Sequence, residues 1–569
     1  MRAFISRAEQ MELYKSLDHI HDPSVYDLDE NDSPLIEVDT FLMDFSKHEA
    51  LIAASKPPLP LKVEKWRPPM LMNEDRAALK KKKAENYAQI REKVLASGAT
   101  IIPRTQAQNR KRPESTLEEE QVRRANVVAE QIKVWRSLLP CVLKDFSKIN
   151  DPRRSKNIEH KLTTLMVFGL FAFVFRLQSR REMNRELTGP VIFSHLKKIF
   201  PDLETIPHAD TLARLLEKIN PRDIERVHLN LINDLIRKKK FKKLLINKRV
   251  PISIDGTQKI FRDGLLRDAR WCERKVGKES KQQYVYVIEA TITLKTGLSI
   301  PLMSEYLYQS SHQLENSTVK QDNELTAFER IAAKLKKHFP RLKIVLLMDS
   351  MYATQNVMSI CSQNNWDFMI SLPRKKMTTL AAILKKEEAD CQTISGRSYY
   401  RGRKQAFYWK NNVIYPDNYD LTIHLVGCRE SYDEVNSGTG EIEKHHSSHA
   451  WISSMSISEN NLHELCNLGA RKKELIEDSI NTEKNRGYHY KHVFSYDWNA
   501  MQGFHYLMRL GHAINALSEF SKKLKQFIKH EGCSAILKLI KETLFSPWLP
   551  MVWYEAQLLQ APQLRLYSG

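Results

Sequence analysis

The stretch Ile344–Asp349, "IVLLMD", constrains the fold of this chain more than any other. A continuous apolar run that ends in an acid is typical of a strand buried on both faces of a sheet. Such a strand belongs in the interior of a sheet that helices cover on both sides. The run therefore favours an α/β fold, and it places the carboxylate of Asp349 directly after a buried strand.

The segments around this strand predict the rest of a mixed α/β sheet. Val250–Asp255 reads as a short strand, since Pro251 is tolerated only near its start. A hairpin is predicted next, because two β-rich runs flank the turn signal Lys295-Thr296-Gly297. The predicted order after the first strand is the hairpin Tyr284–Leu294 and Leu298–Met303, a helix over Asp322–His338, the buried strand, a helix near Tyr352–Asn364 and a strand over Phe368–Leu372.

Shifts in pattern divide the chain into five regions. The first is an appendage that is either a partly ordered arm or a docking element for DNA or a partner, and the second is helical with a predicted DNA-binding role. The fourth combines short aromatic strands with a polar loop, "NSGTGEIEKHHSSH", and is interpreted as a β-rich insertion. The predicted boundaries are 1–115 for the appendage, 116–247 for the helical region, 248–375 for the first part of the core, 376–455 for the insertion and 456–569 for the helical completion of the core and the C-terminal helices.

Charge and composition restrict the class of partner. The 569 residues carry a formal net charge of +21, which indicates a polyanion, with nucleic acid first and an anionic membrane surface second. The longest apolar run, Leu162–Phe175, is too short to span a bilayer and predicts a buried helix. The seven cysteines form no CxxC pair, which favours a reducing, cytoplasmic location without a zinc site or disulfides.

A basic run, "LIRKKKFKKLL" over 235–245, closes the helical region. Its lysines and arginine are suited to contact phosphates, and a solvated helix face explains them equally well. Both interpretations stay open from the sequence.

Two acids at strand ends and one on a helix suggest a metal site. Asp255 ends the first strand and Asp349 ends the buried strand. Ends of neighbouring strands lie about 5 Å apart, so the two carboxylates can share a cation if these strands are adjacent. Glu477 is the candidate third ligand, on a helix face that also carries Lys473, Asn481 and Lys484. Oxygen ligands of this kind suit Mg²⁺ or Mn²⁺.

This set of residues matches the needs of phosphodiester chemistry. Two cations about 3.5–4 Å apart, bridged by carboxylates, activate an attacking oxygen and stabilise the leaving one. Each acid taken alone is more often a turn, cap or surface residue. Asp263, Asp268, Glu273 and the histidines of His445–His449 are weaker candidates. The sequence contains neither a GxxxxGK[ST] loop nor a G-x-S-x-G elbow.

At these acids the sequence resembles the DDE-type insertion-sequence transposases, which have an RNase H-like catalytic core. "ISIDGTQ" is similar to the strand of the first Asp and "IVLLMDSMYA" to that of the second. "KKELIEDSINTEKNRGYHYKH" resembles the Glu helix of the branch with a Y-x2-R-x3-E-x6-K signature. Glu477 and Lys484 occupy the E and K positions, whereas Lys473 stands at the R position and Ala470 at the Y position.

The resemblance implies an RNase H-like mixed sheet flanked by helices, and an enzyme that cuts the ends of its element and joins them to target DNA. It implies that Asp255, Asp349 and Glu477 hold two Mg²⁺ or Mn²⁺ ions and that Lys484 contacts DNA. The expected partners are the element's terminal repeats, target DNA and a second copy in a homodimer, in the bacterial cytoplasm at the nucleoid and away from membranes. The expected DNA-contacting residues are Lys473, Asn481, Lys484, Arg486 and Lys491.

Two rival functions and one further side-chain role remain. The first alternative is a DNA-binding relative that has lost the reaction. The second is a nuclease with the same core that only hydrolyses DNA. Trp409, in the insertion, is either a base-stacking residue or, more simply, a core tryptophan.

Overall fold

The computed structural model describes residues 73–96, 114–201, 203–263, 270–276, 280–308, 322–390, 399–416 and 418–568. The chain divides into two units, Met1–Lys81 and Lys82–Gly569. In the first unit, the described part is the beginning of helix α1 (Asn73–Ala96). Most of the predicted appendage over 1–115 therefore lies outside the described residues.

A layer of helices precedes the sheet. The helix α3 is enclosed almost completely, since all but one of its residues are buried, and it confirms the predicted buried helix. An aromatic cluster holds it in place, because the Phe171 ring meets Trp135 edge-on at 5.2 Å. The helices of this layer are α2 (Leu117–Phe146), α3 (Leu162–Val174), α4 (Arg180–Leu187), α5 (Pro190–Ile199), α6 (Ala209–Lys218) and α7 (Pro221–Arg237).

Ten strands of the described chain form one mixed sheet. Their order is β2-β3-β1-β5-β6-β10-β9-β8-β7, with β4 paired to the outer side of β3. The strands β1, β5 and β6 run parallel, and the remaining pairs are antiparallel. The strands are β1 (Val250–Asp263), β2 (Cys272–Val276), β3 (Ser280–Thr293), β4 (Ser299–Tyr306), β5 (Ile344–Met348), β6 (Asp367–Ser371), β7 (Tyr399–Tyr400), β8 (Arg403–Tyr415), β9 (Asn418–Val435) and β10 (Ile442–Ser453).

The central strand β5 is buried on both faces, as the sequence predicts. Ile344, Leu346 and Met348 belong to the main hydrophobic core, which the N-terminal helices share. Val345 and Leu347 point the other way, into a second core beneath the segment that leads to the third acid. Helices α8 (Glu324–His338), α9 (Gln355–Gln363) and α10 (Thr378–Asp390) connect the later strands. The predicted α/β class, a mixed sheet flanked by helices, is confirmed.

Two strand predictions are wrong in extent. The first strand does not end at Asp255, because its pairing with β3 continues through Gly256↔Ile288 to Asp263↔Gln282. The strands of the predicted insertion are long rather than short, and β10 pairs with β6, so they extend the same sheet. The histidines of His445–His449 lie in β10 instead of a loop, since β9 supplies their backbone partners.

The C-terminal region is helical, as predicted. A short helix, α11 (Glu459–Leu462), continues through a π-helical turn over His463–Gly469 and a 3-10 turn over Ala470–Lys473. The helices that follow are α12 (Glu474–Asn485), α13 (Trp498–Glu519), α14 (Lys522–Glu531), α15 (Cys533–Phe545) and α16 (Met551–Leu559). Among the described helices, none is both long enough and apolar enough to cross a membrane.

Candidate metal centre

Strand geometry places the first two acids on one face of the sheet. The strands β1 and β5 are parallel neighbours, with Ser253 paired to Leu347. Side chains alternate along a strand, so the residues two positions further on, Asp255 and Asp349, point to the same face as that pair. Asp349 is the first residue after β5, whereas Asp255 lies within the longer β1.

Helix α12 brings the third acid over this face. Glu477 lies in the first turn of the helix, where a negative charge is favoured by the helix dipole. The π-helical and 3-10 turns before it form an irregular entry of a kind often found at functional sites. Ile476 and Ile480, which flank Glu477, are buried and hold the helix against the sheet.

The three carboxylates converge. One oxygen from each of Asp255, Asp349 and Glu477 lies within 4.8 Å of the other two. Exposure of the side chains rises from 23% at Asp255 to 44% at Asp349 and 60% at Glu477, so the group is open on the helix side. An open set of three oxygen donors fits a hard divalent cation such as Mg²⁺ or Mn²⁺, which keeps several waters in proteins.

Lys473 lies among these three carboxylates. Its ammonium bonds Asp349 Oδ2, lies 2.9 Å from Glu477 Oε1 and lies 3.5 Å from Asp255 Oδ2. Its side chain is only 9% exposed. The sequence predicts Lys473 as a contact to DNA, but the structure turns its ammonium toward the acids, because the residue sits at the start of α12, directly above them.

The charges in this cluster shift one another's protonation. Burial raises the pKa of Asp255, and the neighbouring carboxylates of Asp349 and Glu477 add to that increase against the opposing effect of Lys473. Burial alone would lower the pKa of Lys473, but the carboxylates, Asp255 foremost, outweigh it and raise that pKa.

The other predicted DNA contacts follow Lys473 in the sequence, within α12 and directly after it. The ammonium of Lys484 donates to Thr257 Oγ1, two residues along β1 from Asp255. Burial lowers the pKa of Lys484, and repulsion from Lys491 lowers it further. The remaining residues predicted to contact DNA, Asn481, Arg486 and Lys491, are exposed. Their side chains are accessible to a polyanion, whereas Lys484 is half-buried.

A second charged cluster, absent from the sequence predictions, lies behind the carboxylates. Glu289 of β3 pairs directly with Asp255 across the sheet, so both side chains start on the same face. Arg509 of α13 lies 3.2 Å from Glu289 Oε2 and 3.1 Å from Glu483 Oε1 of α12. We call Glu289, Glu483, Arg509, His505 and His512 the buried network.

The charged groups of the buried network are paired with one another and shielded from solvent, while Arg509 Nε has no hydrogen-bond partner among the described residues. Burial alone would raise the pKa of Glu289, but Arg509 and His505 outweigh it and lower that pKa. His512 Nδ1 lies 2.7 Å from Glu483 Oε1, which fixes the end of α12. One sequence signal points to this network: Glu289 is a lone acid in the apolar strand "YVYVIEATITL", a position that requires a buried partner.

The weaker candidates do not join the site. Asp263 and Glu273 accept hydrogen bonds from Gln282 and Gln283 respectively, and Asp268 lies outside the described residues. His445 and His449 each lie 3.6 Å from a glutamate, Glu443 and Glu430. Trp409 is half-buried and packs against the second hydrophobic core.

Comparison with known proteins adds one relationship. Residues 143–232, from the end of α2 into α7, match the family model described as "DDE_Tnp_1-associated". The match indicates a relative of the DDE-type transposases, and it lies wholly in the helical region before the three acids. The chain matches no curated protein.

Proposed function

We propose that this protein is a DNA transposase that works by metal-dependent phosphoryl transfer. One observation carries the proposal: the oxygens of Asp255, Asp349 and Glu477, from three separate elements, lie within 4.8 Å of one another. Carboxylates this close repel one another, and clusters of like charges that shift one another's pKa values are typical of functional sites.

Two further observations support DNA as the substrate. The helical region matches a model associated with DDE transposases. The net charge of +21 favours a polyanionic partner, and Arg486 and Lys491 present cations on the surface that follows α12. We infer that Asn481, Lys484, Arg486 and Lys491 hold the strand being cut. The signature branch, the element ends, the target DNA and the homodimer predicted from the sequence belong to the same proposal.

In the proposed reaction, the three carboxylates, the buried network and Lys484 have different roles. Asp255, Asp349 and Glu477 would hold two Mg²⁺ or Mn²⁺ ions. When bound, such ions supply activation of the attacking oxygen and stabilisation of the leaving oxygen of the phosphodiester. The sheet holds the first two carboxylates rigidly, and the buried network fixes α12 so that Glu477 faces them. Lys484, which donates to Thr257 of β1, would contact the phosphate backbone beside the carboxylates.

The test is cutting of DNA that carries the ends of the element, with Mg²⁺ or Mn²⁺, by the wild type and by Asp255→Asn, Asp349→Asn and Glu477→Gln. We expect the wild type to nick these ends and the variants to bind the same DNA without nicking it. Equal cutting by wild type and variants would overturn the proposal.

Two other functions are outcomes of the same experiment. The position of Lys473 on the carboxylates favours a DNA-binding relative that has lost the reaction, and binding without any metal-dependent nicking would identify it. Nicking without joining of the cut ends to a second DNA would identify a hydrolysing nuclease.

A further inference from the structure

We propose that Lys473 couples DNA binding to metal binding by acting as an internal counter-cation of the carboxylate group. This inference rests on the proposed function. The ammonium lies within 3.5 Å of Asp255 Oδ2 and 2.9 Å of Glu477 Oε1, and it also bonds Asp349. One side chain therefore contacts all three acids that would hold the ions.

A tethered ammonium in this position competes with a divalent ion. The positive charges of the ammonium and the ion repel each other, and the repulsion is poorly screened because the Lys473 side chain is 9% exposed. With the ammonium in place, the carboxylates have one positive charge to share before any ion arrives. We infer that the DNA-free protein binds divalent ions weakly for this reason.

A DNA phosphate offers the ammonium another partner. The carboxylate group opens toward solvent on the side of Glu477, whose side chain is 60% exposed, so a phosphate approaches from there. Lysine has a flexible stem and a compact charge, so its ammonium can exchange a carboxylate for a phosphate without movement of the backbone. Transfer of Lys473 to the phosphate removes the competing charge, and the ions then bind only where a strand is present.

The first experiment measures Mn²⁺ affinity of the DNA-free full-length protein by calorimetry. Coupling between two sites is typically about 5–150-fold, so we expect Lys473→Met to bind Mn²⁺ about tenfold more tightly than the wild type. Lys473→Arg keeps the charge and should bind as the wild type does. Lys473→Gln replaces Lys473→Met if the latter fails to fold.

The matched control is Lys472→Met. Lys472 is the preceding residue and is also buried, but the charged groups that influence it are Arg401 and Glu474 instead of the three acids. Its substitution should leave Mn²⁺ affinity unchanged. If Lys473→Met and the wild type bind Mn²⁺ equally, the inference is overturned.

The second experiment uses the reciprocity of coupling. Mn²⁺ should strengthen binding of a fluorescently labelled DNA duplex to the wild type, measured by anisotropy, by a factor several times larger than for Lys473→Met. Identical factors would also overturn the inference. Asp349→Asn separates the two claims: if it abolishes Mn²⁺ binding while Lys473→Met changes nothing, the metal site of the proposed function stands and the coupling fails. If Asp349→Asn binds Mn²⁺ as the wild type does, the proposed site itself fails.

Discussion

The carboxylate group and the buried network use the same residue types on the same sheet face with opposite results. Asp255 and Glu289 are cross-strand neighbours, yet the Asp255 side chain is 23% exposed and that of Glu289 is fully buried. Glu289 has Arg509, His505, Ser304 and Tyr490 as partners. Three acids share Lys473 at the carboxylate group, so their charge is only partly compensated.

Under the proposed function, this difference separates the structural charges of the buried network from the functional charges of the carboxylate group. Buried charges are tolerated only when they are paired and hydrogen-bonded, and the buried network meets that condition. The carboxylate group leaves negative charge open to solvent, where an ion and a phosphate can reach it. Charge alone therefore does not mark a site, whereas incomplete pairing together with access does.

The largest expected effect is loss of stability when the buried network is broken. Arg509→Met leaves Glu289 and Glu483 buried without their shared cation, and removal of one partner from a buried pair costs about 3–5 kcal/mol. Urea unfolding of the wild type and the variant measures this loss. Arg509→Lys, which keeps the charge, should lose less, and an unchanged free energy of unfolding for Arg509→Met would show that the pairing contributes nothing.

Substitution in the carboxylate group should reverse that pattern. Mutation of a residue that only supports a metal ligand typically lowers metal affinity or activity by about 10–100-fold. Removal of a ligand itself, in Asp349→Asn, should therefore lower the rate of DNA cutting by more than about 100-fold. The free energy of unfolding should change by less than about 1 kcal/mol, because the side chain is 44% exposed and sits beside two other acids. A large loss of stability in this variant would place Asp349 with the structural charges instead.

A smaller effect is expected from the buried Lys259 when stability is measured at alkaline pH. Burial lowers the pKa of Lys259, which donates to the Tyr490 carbonyl, to about 8. Between about pH 8 and the unfolded-chain pKa of about 10.4, the unfolded state holds more protons than the folded state, so this residue makes stability rise with pH. The contribution is at most about 1.4 kcal/mol per pH unit.

Urea unfolding of the wild type and Lys259→Met from neutral pH to pH 9.5 measures this contribution. The difference between the two pH profiles isolates Lys259 from the tyrosines, which titrate higher. Parallel profiles would contradict the assigned shift.

The smallest effect is expected at an exposed pair. Lys161 and Glu204 lie 2.9 Å apart with side chains 56% and 62% exposed, and such pairs contribute about 0–1 kcal/mol. Lys161→Ala should therefore change the free energy of unfolding by less than about 1 kcal/mol, and its contribution should shrink in high salt. A loss of stability comparable to that of Arg509→Met would show that exposure does not explain the difference between exposed and buried charged groups.

Local patterns were sufficient for much of the fold. The apolar run of β5, the hairpin turn at Lys295–Gly297 and the buried α3 follow from periodicity and composition alone, and the structure contains all of them. Periodicity was insufficient at Gly256, which favours a turn in isolation, whereas pairing with Ile288 carries the strand onward. The histidine-rich part of β10 reads as a loop for the same reason, since its strand depends on pairing with β9.

The candidate site divides in a similar way. The three acids were found from their places at strand ends and on a helix, and the structure brings them together. Helical spacing also puts Lys473 on the face of Glu477, but spacing gives no side-chain direction, so it does not predict the bond to Asp349. Arg509 and Glu483 meet Glu289 from distant parts of the chain, and a single sequence contains no signal for that meeting.

The pairing of β10 with β6 has a mechanical consequence. Because Trp451 is held opposite Ser371, the long β9–β10 hairpin is continuous with the strand next to β5. Tilting the base of the hairpin against the strands that carry Asp349 would break backbone hydrogen bonds between β10 and β6. Accommodation of a bulky substrate falls to the helices and connecting loops around the sheet, while the spacing of the two sheet-borne acids is preserved.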